Sequence, residues 1–307
     1  MRAMILAAGL GTRMRPLSEL LPKPVVPVRG IPLIAWPLAW LARHGVREVI
    51  VNLHHLPHVT RAAAERWAPP GLAVHFSEEP VLLGTGGGIR RAAAFLRESD
   101  PCLVLAGDAI FDLDLAPLLA RHRARRDAVT LVLREDARAD RFGTIGIDAE
   151  CRVRRIASRF DLGGERRAGV YVSINLIAAR AFDTLPARDV FVHLDDWLAP
   201  LLRAGAQDVC GEPLDAACSW APVGTPAEYL AANLRPTPVA YFDADAQARA
   251  LGVRLEPDLV IGAGAELGAG VELRRAVVWQ GERVPAGLQA SGGVFAGGRF
   301  HPCEPAA

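Results

Sequence analysis

The sequence carries no excess of charge: 35 lysines and arginines stand against 34 aspartates and glutamates, which leaves no electrostatic case for a nucleic-acid partner. Long hydrophobic runs are missing as well. Proline, arginine or glycine interrupts each apolar stretch well short of the about 18–20 residues that a membrane span requires. Cysteine is scarce and unpatterned. The five residues Cys102, Cys151, Cys210, Cys218 and Cys303 are odd in number and widely spaced, which excludes a disulfide framework and a zinc-finger pattern. His54, His55 and His58 cluster but lack a carboxylate or cysteine at ligand spacing. No secretory leader is visible, because Met1-Arg2 runs directly into an apolar strand and a glycine turn. The cytoplasm is the expected compartment, and any charge-driven recognition has to be local.

What is present is a chain of 307 residues, about half of them apolar, long enough to bury a large core in one or two domains. Near its start stands Met4-Ile-Leu-Ala-Ala-Gly9-Leu-Gly11-Thr12-Arg13-Met-Arg15-Pro16, followed by Leu21-Pro22-Lys23-Pro24. A buried strand would here deliver its end to a glycine turn rich in cations. Glycines 9 and 11 allow close backbone approach, so the amides of Leu10 to Arg13 can donate to phosphate oxygens. Arg13, Arg15 and Lys23 add positive charge, forked in arginine and point-like in lysine. Two other phosphate motifs fail to match. A Walker A loop needs Gly-Lys-Ser/Thr after its spacer, and a dinucleotide fingerprint needs glycine at position 14, where the chain has Met14.

Strand and helix patterns then alternate: a helix that begins at Gly30-Ile-Pro-Leu-Ile with Pro32 in its first turn, is kinked at Pro37 and runs to Arg43-His44-Gly45, then strand 48–53, helix 58–67 and strand 72–76, as in a parallel sheet. Glu78-Glu79-Pro80-Val-Leu-Leu-Gly84-Thr85-Gly86-Gly87-Gly88-Ile89 puts a glycine cluster just before a helical run, a second place of close backbone approach. Cys102-Leu-Val-Leu-Ala-Gly107-Asp108 is an apolar strand ending in one carboxylate, where open sheets place ligand-binding groups and a hard oxygen ligand suits Mg²⁺. Asp114 reads instead as the cap of helix 115–125. Residues 143–147 and 151–156 form a small hairpin. Asp195 and Asp196 fall in the first turn of a helix over 194–202, where negative charge is favoured on structural grounds alone.

The opening stretch resembles the signature of the sugar-phosphate nucleotidylyltransferases, Leu-Ala-Ala-Gly-x-Gly-Thr-Arg-x-Arg-Pro-Leu followed by Pro-Lys-Pro. It matches at Leu6, Ala7, Ala8, Gly9, Gly11, Thr12, Arg13, Arg15, Pro16, Leu17, Pro22, Lys23 and Pro24. The likeness is greatest to the branch holding mannose-1-phosphate, heptose-1-phosphate and N-acetylmuramate-1-phosphate nucleotidylyltransferases, and it runs over roughly residues 1 to 300. It implies transfer of a nucleotidyl group from a nucleoside triphosphate, GTP in first place, to a sugar 1-phosphate. It also implies a nucleotide site at Leu6 to Thr12 with Arg13, a base loop at Thr85, Gly86 and Gly87, Mg²⁺ on Asp108, and sugar contact through Lys23 and Glu165. Arg13, Lys23 and Asp108 are the implied catalytic set. In Trp220-Ala221-Pro222-Val223-Gly224-Thr225-Pro226 the chain departs from the family, since Pro222 stands where a second metal-binding aspartate is expected. A catalytically weak, regulatory relative is therefore the rival reading.

Past the proline-bearing stretch 234–238, Ile261, Leu267, Leu273 and Trp279 recur every six residues, with Gly262 and Gly268 after the first two, the spacing of hexapeptide β-helix repeats. The expected architecture is a doubly wound, Rossmann-like α/β domain over residues 1–235 and a short left-handed β-helix-like extension over 236–307. The extension is a candidate packing or oligomerisation element, and a cut near residue 240 is expected to spare the nucleotide site.

Overall fold

A computed structural model describes residues 1–214 and 218–303. Its central sheet is mixed. The apolar strand Arg2–Leu6 lies between Glu48–Leu53 and Cys102–Ala106, parallel to both. Ala73–Glu78 extends the parallel set beyond Glu48–Leu53. The long strand Arg167–Ile177 is antiparallel to Cys102–Ala106 and to Val129–Arg134, and Val209–Pro213 pairs parallel with the latter. The central strands are continuously apolar because both faces are covered. On one face they pack with Leu38, Trp40, Leu41 and Leu118 from helices Ala35–Arg43 and Leu115–Arg125. On the other they meet Ile89, Trp197 and Leu202.

The small hairpin forms, with Ile145–Ile147 antiparallel to Val153–Ile156. Asp114 accepts a hydrogen bond from the amide of Ala116 (2.9 Å) at the start of Leu115–Arg125, as a cap should. The helix predicted from Gly30 begins later, at Ala35, because Ile31–Pro32 pairs with Pro27–Val28 as a short ribbon. That shift puts Pro37 in the first turn, where its missing N–H has no intrahelical partner to lose.

Beyond helix Pro226–Leu234 the chain forms a short helix, Ala244–Ala250, and a stack of short parallel strands. Leu259 aligns with Ala276 and Glu272 with Gln289, so each coil returns seventeen residues on. Gly262 and Gly268 lie where a Cβ would strike the backbone of Gln280 and Ala286 in the next coil. Ile261, Leu267 and Leu273 fill the coil interior with Val278, Val284 and Phe295. Trp279 does not continue that row. It packs with Val260, Val277 and Val294 against Met14, Leu17, Val26, Trp36 and Tyr229 of the larger unit, and its indole N–H donates to the Tyr229 hydroxyl (2.9 Å). The tail thus shares a core with the segment carrying the glycine turn. Among the described residues, no helix is long and apolar enough to cross a membrane.

Candidate active site

Leu6 and Ala106 are paired neighbours in the sheet, so the glycine turn and Asp108 leave the same edge side by side. A cavity of about 480 Å³ opens there. Leu6, Ala7, Ala8, Gly9, Gly11, Thr12, Arg13, Lys23 and Asp108 all line it. Gly11 is left-handed (φ 63°), and a Cβ on it would come within 3.2 Å of both Lys23 and Ser18. Gly9 has open space around it, so packing does not require glycine at that position. The amide of Ala7 donates to Asn52 (2.7 Å), whereas among the described residues the amides of Leu10, Gly11, Thr12 and Arg13 donate to no protein group. They remain available to anionic oxygens.

Lys23 sits in a tight turn after Pro22 and extends its ammonium to 2.6 Å from Asp108 Oδ2. The lysine is nearly buried at 10% exposure and the carboxylate is half-open at 39%, so the cation is held in place while the aspartate can still meet a ligand. Arg13 is exposed at the rim beside Gly224. Two hydrogen bonds at a helix start order this wall: the amide of Gly224 donates to Glu228 Oε2 (2.8 Å), and that of Glu228 donates to the N-cap Thr225 Oγ1 (3.3 Å). Arg15 turns away to pair with Glu19 (3.4 Å).

Pro222 lies in strand Ser219–Pro222 opposite Ala109, the residue after Asp108, and the amide of Val223 donates to the Asp108 carbonyl (2.8 Å). The backbone at position 222 thus runs alongside Asp108, although Pro222 itself does not line the cavity, and a proline side chain supplies no ligand atom. Asp195 pairs with Arg159 (2.5 Å), and Asp196 accepts from the amide of Val192 (2.7 Å) at the head of a π-helical turn, His193–Leu198. Neither lines the cavity. Asp215, the other nearby carboxylate in sequence, falls outside the described residues.

The structure relocates three predicted contacts. Gly86 and Gly87 sit inside helix Gly84–Arg91, and both amides donate to the Phe191 carbonyl (2.9 and 3.3 Å). A Cβ on Gly86 would enter the Phe191 ring, and one on Gly87 would strike the Asp189 carbonyl. These glycines admit the segment 189–193; it is Gly84 and Thr85 that face the cavity. Glu165 pairs with Arg155 (2.7 Å) over Gly146 and does not line the cavity.

Several lining residues have no counterpart in the sequence reading. Asn52 and Glu79 are buried and joined (2.7 Å), with Leu83 donating its amide to Glu79 Oε2 (3.1 Å). A lone amide at the end of an apolar strand was the signal for Asn52. Tyr171 and Ser173 enter through a register slip in the long strand, where Ser173 takes φ 61°, a kind of irregularity that re-aims side chains beside sites. His193 reaches the same wall, buried, with its ring between Thr85 Oγ1 (2.8 Å) and Tyr171 Oη (3.2 Å). Burial pushes its pKa down to about 4 and raises that of Tyr171. No local motif announced it.

Residues 2–237 match the family described as Nucleotidyl transferase. The chain is 33% identical over 300 residues to a mannose-1-phosphate guanylyltransferase of Mycobacterium tuberculosis, covering 93% of this chain and 81% of the relative. It is 42% identical over 115 residues to an N-acetylmuramate alpha-1-phosphate uridylyltransferase of Neisseria meningitidis, a match over 37% of this chain and 49% of that one. Among solved structures, HddC from Yersinia pseudotuberculosis complexed with GMP-PN superposes with a TM-score of 0.63 at 24% identity, over 76% of this chain and 97% of its own; this likeness speaks for the fold.

Proposed function

Because the chain belongs to the nucleotidyl transferase family, we propose that this cavity joins a nucleoside triphosphate to a sugar 1-phosphate, giving a nucleotide sugar and pyrophosphate, with GTP and mannose 1-phosphate as the pair. One observation carries the reading: the Lys23–Asp108 pair at 2.6 Å stands beside a glycine turn whose amides are unengaged. A phosphate oxygen of the sugar attacks the α-phosphorus, and the bond to the pyrophosphate oxygen breaks. No protein nucleophile takes part, so alignment and charge neutralisation dominate. The turn amides hold the triphosphate, Lys23 bridges the reacting phosphates, and Arg13 at the rim neutralises the departing pyrophosphate.

Asp108 fits Mg²⁺, which commonly takes one or two carboxylates and completes its shell with phosphates and water. Bound there, the ion would neutralise phosphate charge. With Pro222 beside it, Asp108 is the carboxylate assigned to the ion. The coiled tail, in the same reading, is a short left-handed β-helix-like element that supports the site through its shared core.

The test is pyrophosphate release across a matrix of triphosphates (GTP, UTP, ATP, dTTP) and sugar 1-phosphates (mannose, heptose, N-acetylmuramate, glucose). Turnover greatest with GTP and mannose 1-phosphate is the expected result. Highest turnover with UTP and N-acetylmuramate 1-phosphate would move the substrate assignment. Nucleotide-sugar binding with no turnover at any magnesium level would favour a regulatory relative, the reading that Pro222 supports.

A further inference from the structure

The hydrogen bonds behind one cavity wall run in a single direction. Asn175 Nδ2 donates to the carbonyl of Val104 (3.3 Å), so its Oδ1 takes the Tyr171 hydroxyl proton (2.7 Å). The Tyr171 oxygen then has only lone pairs to offer His193 Nε2 at 3.2 Å, which places the imidazole proton on Nε2. Burial keeps the ring neutral, so Nδ1 is an acceptor and the Thr85 hydroxyl at 2.8 Å donates to it. The backbone N–H of His193 donates to the same Thr85 oxygen (3.2 Å). Both hydroxyls have committed their protons inward. What Thr85 and Tyr171 retain toward the cavity they line is acceptor capacity alone.

Such a wall is mismatched to phosphate oxygens and matched to an O–H or N–H donor. Strand order decides which substrate meets it. Asn52 lies on the strand to one side of the glycine turn and Glu79 just past the next strand out, whereas Tyr171 and Ser173 stand on the strand beyond Asp108, on the opposite side. Thr85, on the helix after Glu79, meets them through His193. The triphosphate enters at the turn, so the far side faces the second substrate.

We propose that His193 is a positioning residue for sugar selection: by directing the Thr85 and Tyr171 hydroxyl protons inward it makes this wall accept a hydrogen bond from a ring hydroxyl of the sugar 1-phosphate. The inference rests on the proposed reaction for its second substrate. It goes further in naming the residue that sets the polarity of recognition and the donor it selects.

The experiment is calorimetric titration of sugar 1-phosphates (mannose, glucose and N-acetylmuramate) and of monodeoxy mannose 1-phosphates, with a non-hydrolysable GTP analogue present at saturation. Parent, His193→Phe, His193→Gln and Tyr171→Phe are compared, with melting curves alongside. Loss of one such hydrogen bond corresponds to roughly tenfold in affinity. His193→Phe should bind the preferred sugar phosphate about tenfold more weakly and lose the parent's discrimination against one deoxy analogue, while affinity for the GTP analogue changes less than about twofold. His193→Gln, which can still donate toward Tyr171, should recover most of the loss. If His193→Phe does not fold, Tyr171→Phe removes a single oxygen from the chain and should show the same loss of discrimination. The proposal is overturned if the parent binds none of the sugar phosphates, if the variants discriminate as the parent does, or if the nucleotide and not the sugar loses affinity. Turnover plays no part in the titration, so a parent that binds sugar phosphate but releases no pyrophosphate counts against the proposed reaction alone.

Discussion

In the proposed reaction Lys23 is the residue on which the chemistry converges. Its nearly buried stem positions an ammonium against a half-exposed carboxylate, so Lys23→Ala removes a fixed cation without opening a core cavity. Turnover is expected to fall about 10²–10³-fold, the range for one preorganised transition-state donor, while the melting temperature changes little, since partly exposed ion pairs contribute weakly to stability. Steady-state rates and a melting curve on the same preparation check both halves; near-normal turnover would remove Lys23 from the mechanism. At Pro222, opposite Ala109 in the strand pair, aspartate would add a carboxylate to the strand that runs alongside Asp108. Pro222→Asp should lower the Mg²⁺ concentration giving half-maximal rate, as a second charged ligand lessens dependence on substrate phosphates. Magnesium titration of both proteins decides it. A parent that already saturates as low as the variant would mean that another carboxylate fills the gap; Asp195 and Asp196 would then have to leave Arg159 and Arg188, with which they are paired.

Among the elements, helix Gly84–Arg91 departs furthest from its sequence reading. A run of glycines before a helical pattern reads as a loop shaped for a ligand, yet here the glycines are helical and their missing side chains make room for Asp189, Phe191 and His193. Glycine weakens a helix interior by about 1 kcal/mol relative to alanine, so alanine ought to stabilise this one if the helix stood alone. Contact reverses the sign. Gly87→Ala is expected to destabilise by about 1–3 kcal/mol through overpacking, because a Cβ would strike the Asp189 carbonyl and crowd Leu83. Urea denaturation reads the change, and an increase in stability would show that segment 189–193 yields easily. The strand Arg167–Ile177 teaches the complementary lesson. Its inner residues are largely apolar, but the slip that accompanies the entry of Tyr171 and Ser173 into the cavity lies in its pairing with Val129–Arg134 and is not marked by a motif in the strand itself.

For the whole molecule, the shared core alters what a truncation should do. Cutting near residue 240 would strip Val260, Val277, Trp279 and Val294 from Met14, Leu17, Trp36 and Tyr229, at roughly 1.5–3 kcal/mol for each large side chain exposed. That is comparable to the about 5–15 kcal/mol by which a domain is stable at all. The truncated chain is therefore expected to aggregate or to melt far below the parent and to lose nucleotide binding with its fold, although every nucleotide-site residue lies upstream. Size exclusion, melting and calorimetry with a GTP analogue settle the point, and a well-folded fragment with parental affinity would restore the tail to the status of an independent unit. Sequence by itself determined the end of the cavity that is proposed to hold the phosphates. The turn from Gly9 to Arg13, Lys23 in its proline frame and Asp108 at a strand end are local features, because backbone conformation and strand termini follow from neighbouring residues. Only tertiary structure decided the opposite wall, where Thr85, Tyr171 and His193 come from three distant segments, and only it bound the tail to the catalytic unit. Side-chain hydrogen-bond direction and shared burial depend on which surfaces meet, and no spacing along one chain encodes that meeting in a form that can be read before the surfaces are in contact.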